Sequence, residues 1–244
     1  MSPDLTAPVF SPAALVVAAV VFAYLLLVEP LWGRRMFEVL KRDRDTDPGL
    51  YVRFFGTGMA VFWGLTGLTA LTVLLSPGAE WAHLGLHGDV DWGTVAGMFV
   101  GFAVAAVMVT LLARWKAMPV SPTLDPMLPR TTRERWCAVG ASVTAGVCEE
   151  IIFRGLLIAV GVSLGLPLYV AAGAALVVFT LAHLYQGAKD MLLVGLLGCA
   201  LTYLYLSTGS LIVPILVHVL VDLRALLLTP RPATGRSGQF TPAA

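Results

Sequence analysis

A chain of 244 residues that is 58% hydrophobic and only 13% charged, with a mean hydropathy of +0.84, is not a soluble globular domain. Such domains carry roughly 45–50% apolar and about 25% charged residues. The formal net charge of +1 says nothing of nucleic acid, because the charges are sorted by loop, and no nucleic-acid partner is expected. Cys137, Cys148 and Cys199 all fall in or beside apolar runs; an odd count without pairable loop positions argues against a disulfide framework, and reduced packing residues are expected.

Residues 1–11 are short and polar and hold no Lys or Arg. They lack the positive n-region of a secretory signal peptide, so the first apolar run is expected to be retained as an anchor. Apolar runs follow at roughly 12–29, 54–75, 93–113, 136–163, 167–184, 190–207 and 210–228. Each is near the ~20 residues needed to cross ~30 Å of hydrocarbon. The expected architecture is all-α: a polytopic membrane protein of about seven transmembrane helices in one structural domain. Three helices fall in 1–135 and four in 136–228. Residues 229–244, rich in Pro, Gly, Ser and Thr, read as a disordered tail. Glu29, before Pro30, is expected at a helix end in reach of water.

The connecting segments set an orientation. Residues 30–53 hold Arg34, Arg35, Lys41, Arg42, Arg44 and Arg53; residues 114–135 hold Arg114, Lys116, Arg130, Arg133 and Arg135. Lys189 lies between the fifth and sixth runs, and Arg224, Arg231 and Arg236 lie at the end of the last run and in the tail. The intervening loops, 76–92, 164–166 and 208–210, carry no basic residue, and the first of them holds Glu80, Asp89 and Asp91. Positive residues stay cytoplasmic, which predicts the N-terminus outside and the C-terminus inside. Pro119, Pro122, Pro126 and Pro129 predict an extended loop over 117–130. Thr131 followed by Glu134 has capping-box spacing, so the fourth helix is expected to begin near Trp136, in the headgroup layer.

Against this apolar background a few polar residues stand out. Glu149, Glu150 and Arg154 lie in a run that is otherwise apolar from Trp136 to Tyr169. An ionised side chain at the bilayer centre costs a few kcal/mol on insertion scales, so such groups pair and face a protein interior. Glu150 and Arg154 are i and i+4, which allows an ion pair; Glu149 sits about 100° round the helix, a carboxylate left over for chemistry. His183 follows on the fifth run, and His218 with Asp222, again i and i+4, on the seventh. The first three runs read as packing and enclosure. Glu149 with a His can activate water for attack on an amide carbonyl, with a His and a second polar group donating to the oxyanion. His and carboxylate side chains of this kind can equally hold Zn²⁺, with Glu149, His183, His218 and Asp222 as its ligands. The sequence demands no cofactor and leaves the two schemes open. A shared site requires a cleft opening from the cytoplasmic half. His83 and His87 are also i and i+4, but Gly85 and Gly88 predict a loop there rather than a metal-binding helix face.

Glu-Glu-x-x-x-Arg at 149–154, Phe-x-x-x-His at 179–183 and His-x-x-x-Asp at 218–222, in that order on successive helices, resemble the CPBP family. That family includes CAAX prenyl endopeptidases and bacteriocin-immunity-type membrane proteins. The resemblance covers roughly 136–228. It implies that Glu149 is the water-activating base and His183 its partner, with Glu150 and Arg154 as a supporting pair. His218 and Asp222 would complete the site or stabilise the oxyanion. The CAAX endopeptidases usually have Asn where this chain has Asp222. An Asn amide donates a hydrogen bond, whereas an ionised Asp only accepts. The family is often labelled metalloprotease, and a metal-free glutamate mechanism also fits it.

Three function classes follow. The first is an intramembrane endopeptidase in the cell membrane, acting on a membrane-anchored or lipid-modified protein. The second is a non-catalytic immunity or scaffold protein that binds a partner helix. The third is a proton-coupled transporter that uses the same groups as a relay.

Overall fold

The computed structural model describes residues 8–87, 91–115 and 123–229. Pro119 and Pro122, Asp89, Lys116, Arg231 and Arg236, and the tail from 230 lie outside these residues. The described chain is helical throughout, with one isolated antiparallel bridge, Val9 to Gly78.

Among the described residues seven helical bodies make up the fold. Helix α1 is Pro12–Asp43, α2 Leu50–Leu74 and α3 Trp92–Trp115. Helix α4 runs without a break as α-helix Thr132–Glu149, π-helix Glu150–Leu157 and α-helix Ile158–Ser163. Helices α5 Leu168–Ala182, α6 Ala188–Thr208 and α7 Ile212–Leu227 follow. Four of the helices, α1, α2, α3 and α6, are long and apolar enough to cross a membrane. Their apolar side chains point outward as often as inward: Phe99, Val100, Val104, Val107, Leu111, Leu192, Leu193 and Leu196 are all exposed. A soluble monomer rarely shows so continuous an apolar face; a bilayer is its matching solvent.

Helix α1 corrects the expected end at residue 29. It continues through Pro30 to Asp43, so the segment joining α1 to α2 is only 44–49 and Arg34, Arg35, Lys41 and Arg42 ride on a helix. Proline inside a helix removes a backbone donor and clashes with the preceding turn. Here the turn before it widens into a π-helix, Tyr24–Val28, in which the Glu29 amide donates to the Tyr24 carbonyl. That widening absorbs the clash. It also leaves Glu29 in mid-helix rather than at the expected helix end, half-buried, with Oε2 lacking a hydrogen-bond partner among the described residues.

The core gathers around the π-helical stretch of α4. Ile152, Phe153, Leu156, Leu157 and Ile158 pack with Ala18, Val21 and Leu25 of α1, Ala175, Val178 and Phe179 of α5, and Tyr205 and Leu211. Helix α4 also packs along α2 and α7, and Trp63 of α2 donates to Thr144 at 3.2 Å. Helix α3 buries Val95 but contributes no described residue to this central cluster, and it touches α7 from the periphery.

Both ends of the bundle are fastened by loops. At one end, residues 81–87 tuck over the turn between α6 and α7. The Leu211 amide donates to Gly85 O at 2.9 Å, and His87 bonds to Gly209 O at 2.8 Å. His83 Nδ1 accepts from the Glu80 amide at 2.8 Å, inside a short 3-10 turn. The two histidines are thus committed to separate backbone groups. At the other end Arg44 donates to Pro126 O and to both oxygens of Glu134, at 3.2, 3.1 and 2.7 Å. Thr131 caps α4 by accepting from the Glu134 amide at 3.2 Å, and a 3-10 turn, Asp125–Met127, interrupts the proline-rich loop.

Candidate active site

Glu150 is the hub. It is fully buried, and its Oε1 accepts from Arg154 Nη1 at 2.9 Å and from His218 Nδ1 at 2.7 Å. Arg154, 1% exposed, is turned inward: Nη2 donates to Gly198 O at 3.2 Å and Nε to Thr202 Oγ1 at 3.5 Å, and the guanidinium stacks over the Phe179 ring at 4.3 Å. A buried guanidinium needs such partners, since desolvation costs several kcal/mol per ion. Helices α4, α5, α6 and α7 each supply one side of this cage.

Two glycines make the geometry possible. A Cβ on Gly146 would meet Val219 Cγ2 at 2.4 Å and the Val219 amide nitrogen at 2.9 Å, so only glycine lets α4 and α7 approach closely enough for Glu150 to reach His218. A Cβ on Gly198 would meet the Phe179 ring at 2.9 Å, where that ring underlies Arg154.

Glu149, next in the chain, is 7% exposed and its Oε2 has no hydrogen-bond partner. It lies within electrostatic reach of His218, Asp222, Glu150 and Arg154. His218 Nε2 faces Asp222 Oδ2 at 3.9 Å, one helical turn on. His183 ends α5. Its Nδ1–H donates to Phe179 O at 2.8 Å, which fixes the tautomer and leaves Nε2 with its lone pair free. Its ring tilts against Phe179 at 4.8 Å and stacks near Tyr185 at 6.1 Å. His183 and Asp222 are partly exposed, whereas Glu150 and Arg154 are sealed, so the site has an open and a closed side. Two surface grooves, one along α3 at Val104 to Trp115 and one along α1 at Leu31 to Arg42, are lined by none of these residues.

The donor set does not suit a metal. Among the described residues no group of three or more His, Cys, Asp or Glu side chains is arranged to hold one. Glu150 Oε1 and His218 Nδ1 are spent on each other, and His183, whose Nε2 lone pair is open, has no two further such side chains grouped with it among the described residues.

Residues that sequence reasoning passed over complete the site. Phe179, read as packing, supplies both the face under Arg154 and the carbonyl that orients His183. Gly198 and Thr202, from an α6 whose interior holds no Asp, Glu, Lys, Arg or His, hold the guanidinium. Tyr185, in the α5–α6 turn, lies with its ring 6.1 Å from that of His183 and 5.6 Å from that of Phe37 on α1. Phe179 stood in the Phe-x-x-x-His motif itself, four positions before His183, and Tyr185 follows that His by two; no sequence signal marked Gly198 or Thr202.

No curated protein and no solved structure matches the chain. Residues 131–224 match the model of the family described as "Rce1-like: Type II CAAX prenyl endopeptidase Rce1-like". That match spans the whole cage from the Thr131 cap to the last turn of α7, and over this region the chain is similar to the CAAX protease family.

Proposed function

We propose that this chain is a multi-pass endopeptidase of the cell membrane that hydrolyses a peptide bond in a membrane-anchored, prenylated protein. The description of the matching family supports CAAX endopeptidase activity in general. The observation that carries the finer reading is Glu149: a nearly buried carboxylate whose Oε2 has no partner among the described residues, beside Glu150, whose Oε1 is taken by both Arg154 and His218 and whose Oε2 is also unpartnered. A buried acceptor without a partner is costly, and such a cost is retained where the atom is used.

In this reading Glu149 takes a proton from water, and His183 Nε2 helps orient that water. The resulting hydroxide attacks the carbonyl carbon. The C–N bond of the tetrahedral intermediate then breaks, and Glu149 returns its proton to the departing amine. Glu150 and Arg154 hold His218, and Asp222 faces its other nitrogen. No step passes through a metal, because the donor set does not fit one. Seven spans with the N-terminus outside would set the partly exposed His183 and Asp222 toward the cytoplasm, and α1 to α3 would enclose the site.

The test is cleavage of a farnesylated peptide ending in Cys-aliphatic-aliphatic-X by protein in lipid nanodiscs. Glu149→Gln should lower the rate by about 10³-fold, within the span seen for a lost general base, with helical content unchanged, and EDTA should leave wild type active. Equal activity of Glu149→Gln and wild type defeats the proposal. Inertness of both returns the fold to the scaffold or transporter readings.

A further inference from the structure

Helix α1 has 32 residues, about 48 Å, against ~30 Å of hydrocarbon. Its second half, from Glu29 to Asp43, therefore reaches the headgroup layer, and its two faces differ. On one side Phe37 and Leu40 are buried, and the Phe37 ring lies 5.6 Å from that of Tyr185 in the turn after His183. On the opposite side Leu31, Arg34, Arg35, Glu38, Val39 and Arg42 line a surface groove of about 490 Å³. Leu31 is 75% exposed, and the exposed Leu27 and Val28 on the preceding turn continue its apolar surface into the lipid-facing belt. Above them the groove turns basic. Most arginines at this end of the bundle are engaged by carboxylates: Arg44 by Glu134, Arg53 by Asp47, Arg130 by Asp45, and Arg42 by Asp43 at 2.7 Å. Arg34 and Arg35 are exposed, and no carboxylate lies within ion-pair distance of either among the described residues. Glu38 is the single acid in the groove.

We propose that this groove docks an anionic phospholipid of the surrounding leaflet, with its phosphate held by Arg34 and Arg35 and its acyl chain along Leu31 and Leu27. A guanidinium presents paired donors that match two phosphate oxygens. The exposed leucines decide for a lipid over a free phosphate, because only the lipid brings an apolar end to cover them. The opposite face of the same helix packs on the Tyr185 turn, so a lipid seated here sets the headgroup layer at the level of the turn that follows His183. The docking surface does not depend on the endopeptidase reading above.

The test reads lipid rather than cleavage. Full-length protein is placed in nanodiscs of phosphatidylcholine with a minor share of phosphatidylglycerol, and the lipids it retains are weighed with it by native mass spectrometry. Wild type should retain phosphatidylglycerol in preference. Arg34→Gln with Arg35→Gln should lower that preference about 30-fold, the factor implied for two residues by about 1 kcal/mol per basic group near an anionic surface. Arg34→Lys with Arg35→Lys keeps the charge and should retain most of it. Arg133→Gln with Arg135→Gln removes the same charge from the exposed first turn of α4 and should leave the preference near that of wild type. Equal loss in the two glutamine pairs would replace the site by a diffuse surface potential and overturn the proposal, as would an unchanged preference in the Arg34 and Arg35 pair. Inorganic phosphate should displace the lipid no better than chloride at matched ionic strength. Specific displacement by phosphate would make the ligand a free anion and overturn the lipid assignment. Leu31→Ser, with both arginines kept, should weaken retention, and retention equal to wild type would overturn the acyl contact.

Discussion

Glu150 and Glu134 are both buried carboxylates held by arginine, at 0% and 4% exposure, and they sit in different solvents. Glu150 lies deep in α4 with Arg154 and His218. Removing one member of such a buried set costs about 3–5 kcal/mol, because it strands the other charge. Glu134 lies in the first turn of α4, outside the apolar run that starts at 136. Burial pushes its carboxyl up, but the Arg44 guanidinium and the amides of Arg130 and Thr131 hold it, on balance, below the ordinary value of 4.5. A carboxyl with a lowered folded pKa adds stability that is fully present above its unfolded value and is lost as pH falls through the folded one. The thermal midpoint in nanodiscs should therefore drop more steeply below about pH 4.5 in wild type than in Glu134→Gln. At pH 7 the variant should melt lower. Parallel curves at all pH values would show that the pair carries no pH-linked stability. Of these two residues, the Glu150–Arg154 pairing was legible as i and i+4. The Arg44–Glu134 pairing was not, because 90 positions separate the partners and no local pattern announces them.

At the scale of elements, the site depends on how closely two helices pass. Helix α4 is α-helical up to Glu149 and π-helical from Glu150 to Leu157, and seven of those eight residues are buried. No proline explains this second π-segment, in contrast to Tyr24–Val28 before Pro30, so regular α-helical spacing was the natural reading of the sequence there. A π-turn shifts side chains relative to that spacing. Where α4 crosses α7, Gly146 is the point of contact. Gly146→Ala would drive a methyl into Val219, and the backbone nitrogen there cannot rotate away. Overpacking of this kind costs about 1–3 kcal/mol. We expect a lower thermal midpoint and impaired peptide cleavage together, since the 2.7 Å Glu150–His218 bond spans the same crossing. Val219→Ala in the same chain should recover part of the midpoint by freeing the Cγ2 volume. A Gly146→Ala protein as stable and active as wild type would mean that α7 is not held at this distance. The sequence offered Gly146 as one glycine among 24; only the crossing singles it out.

For the whole molecule the governing fact is the sorting of charge and apolar surface by height. One end carries Arg44 with Glu134, and the ion pairs Arg53–Asp47 and Arg130–Asp45. The other carries the 81–87 loop folded over Gly209 and Leu211, with Glu80 and Asp91 and no described Lys or Arg. Between them lies the apolar belt of exposed Leu, Val and Phe. Hydropathy located all seven helical bodies, because the lipid-facing and core-facing residues are both apolar and the runs are long. It misjudged α1, whose second half is amphipathic and passes from the belt to the charged end; at 32 residues, about 48 Å, it exceeds the ~30 Å hydrocarbon. Were the positive residues held on the cytoplasmic side, the N-terminus would lie outside and the C-terminus inside. Pro48 and Pro77 are exposed and sit in loops at opposite ends. In a background with Cys137, Cys148 and Cys199 replaced by alanine, Pro77→Cys should react with an impermeant maleimide on intact cells. Pro48→Cys should react only after permeabilisation. The reverse pattern would turn the molecule over and open the His183 and Asp222 side of the site outward. Labelling of both from outside would mean that α2 does not span, and the enclosure of Glu149 by membrane would fail with it.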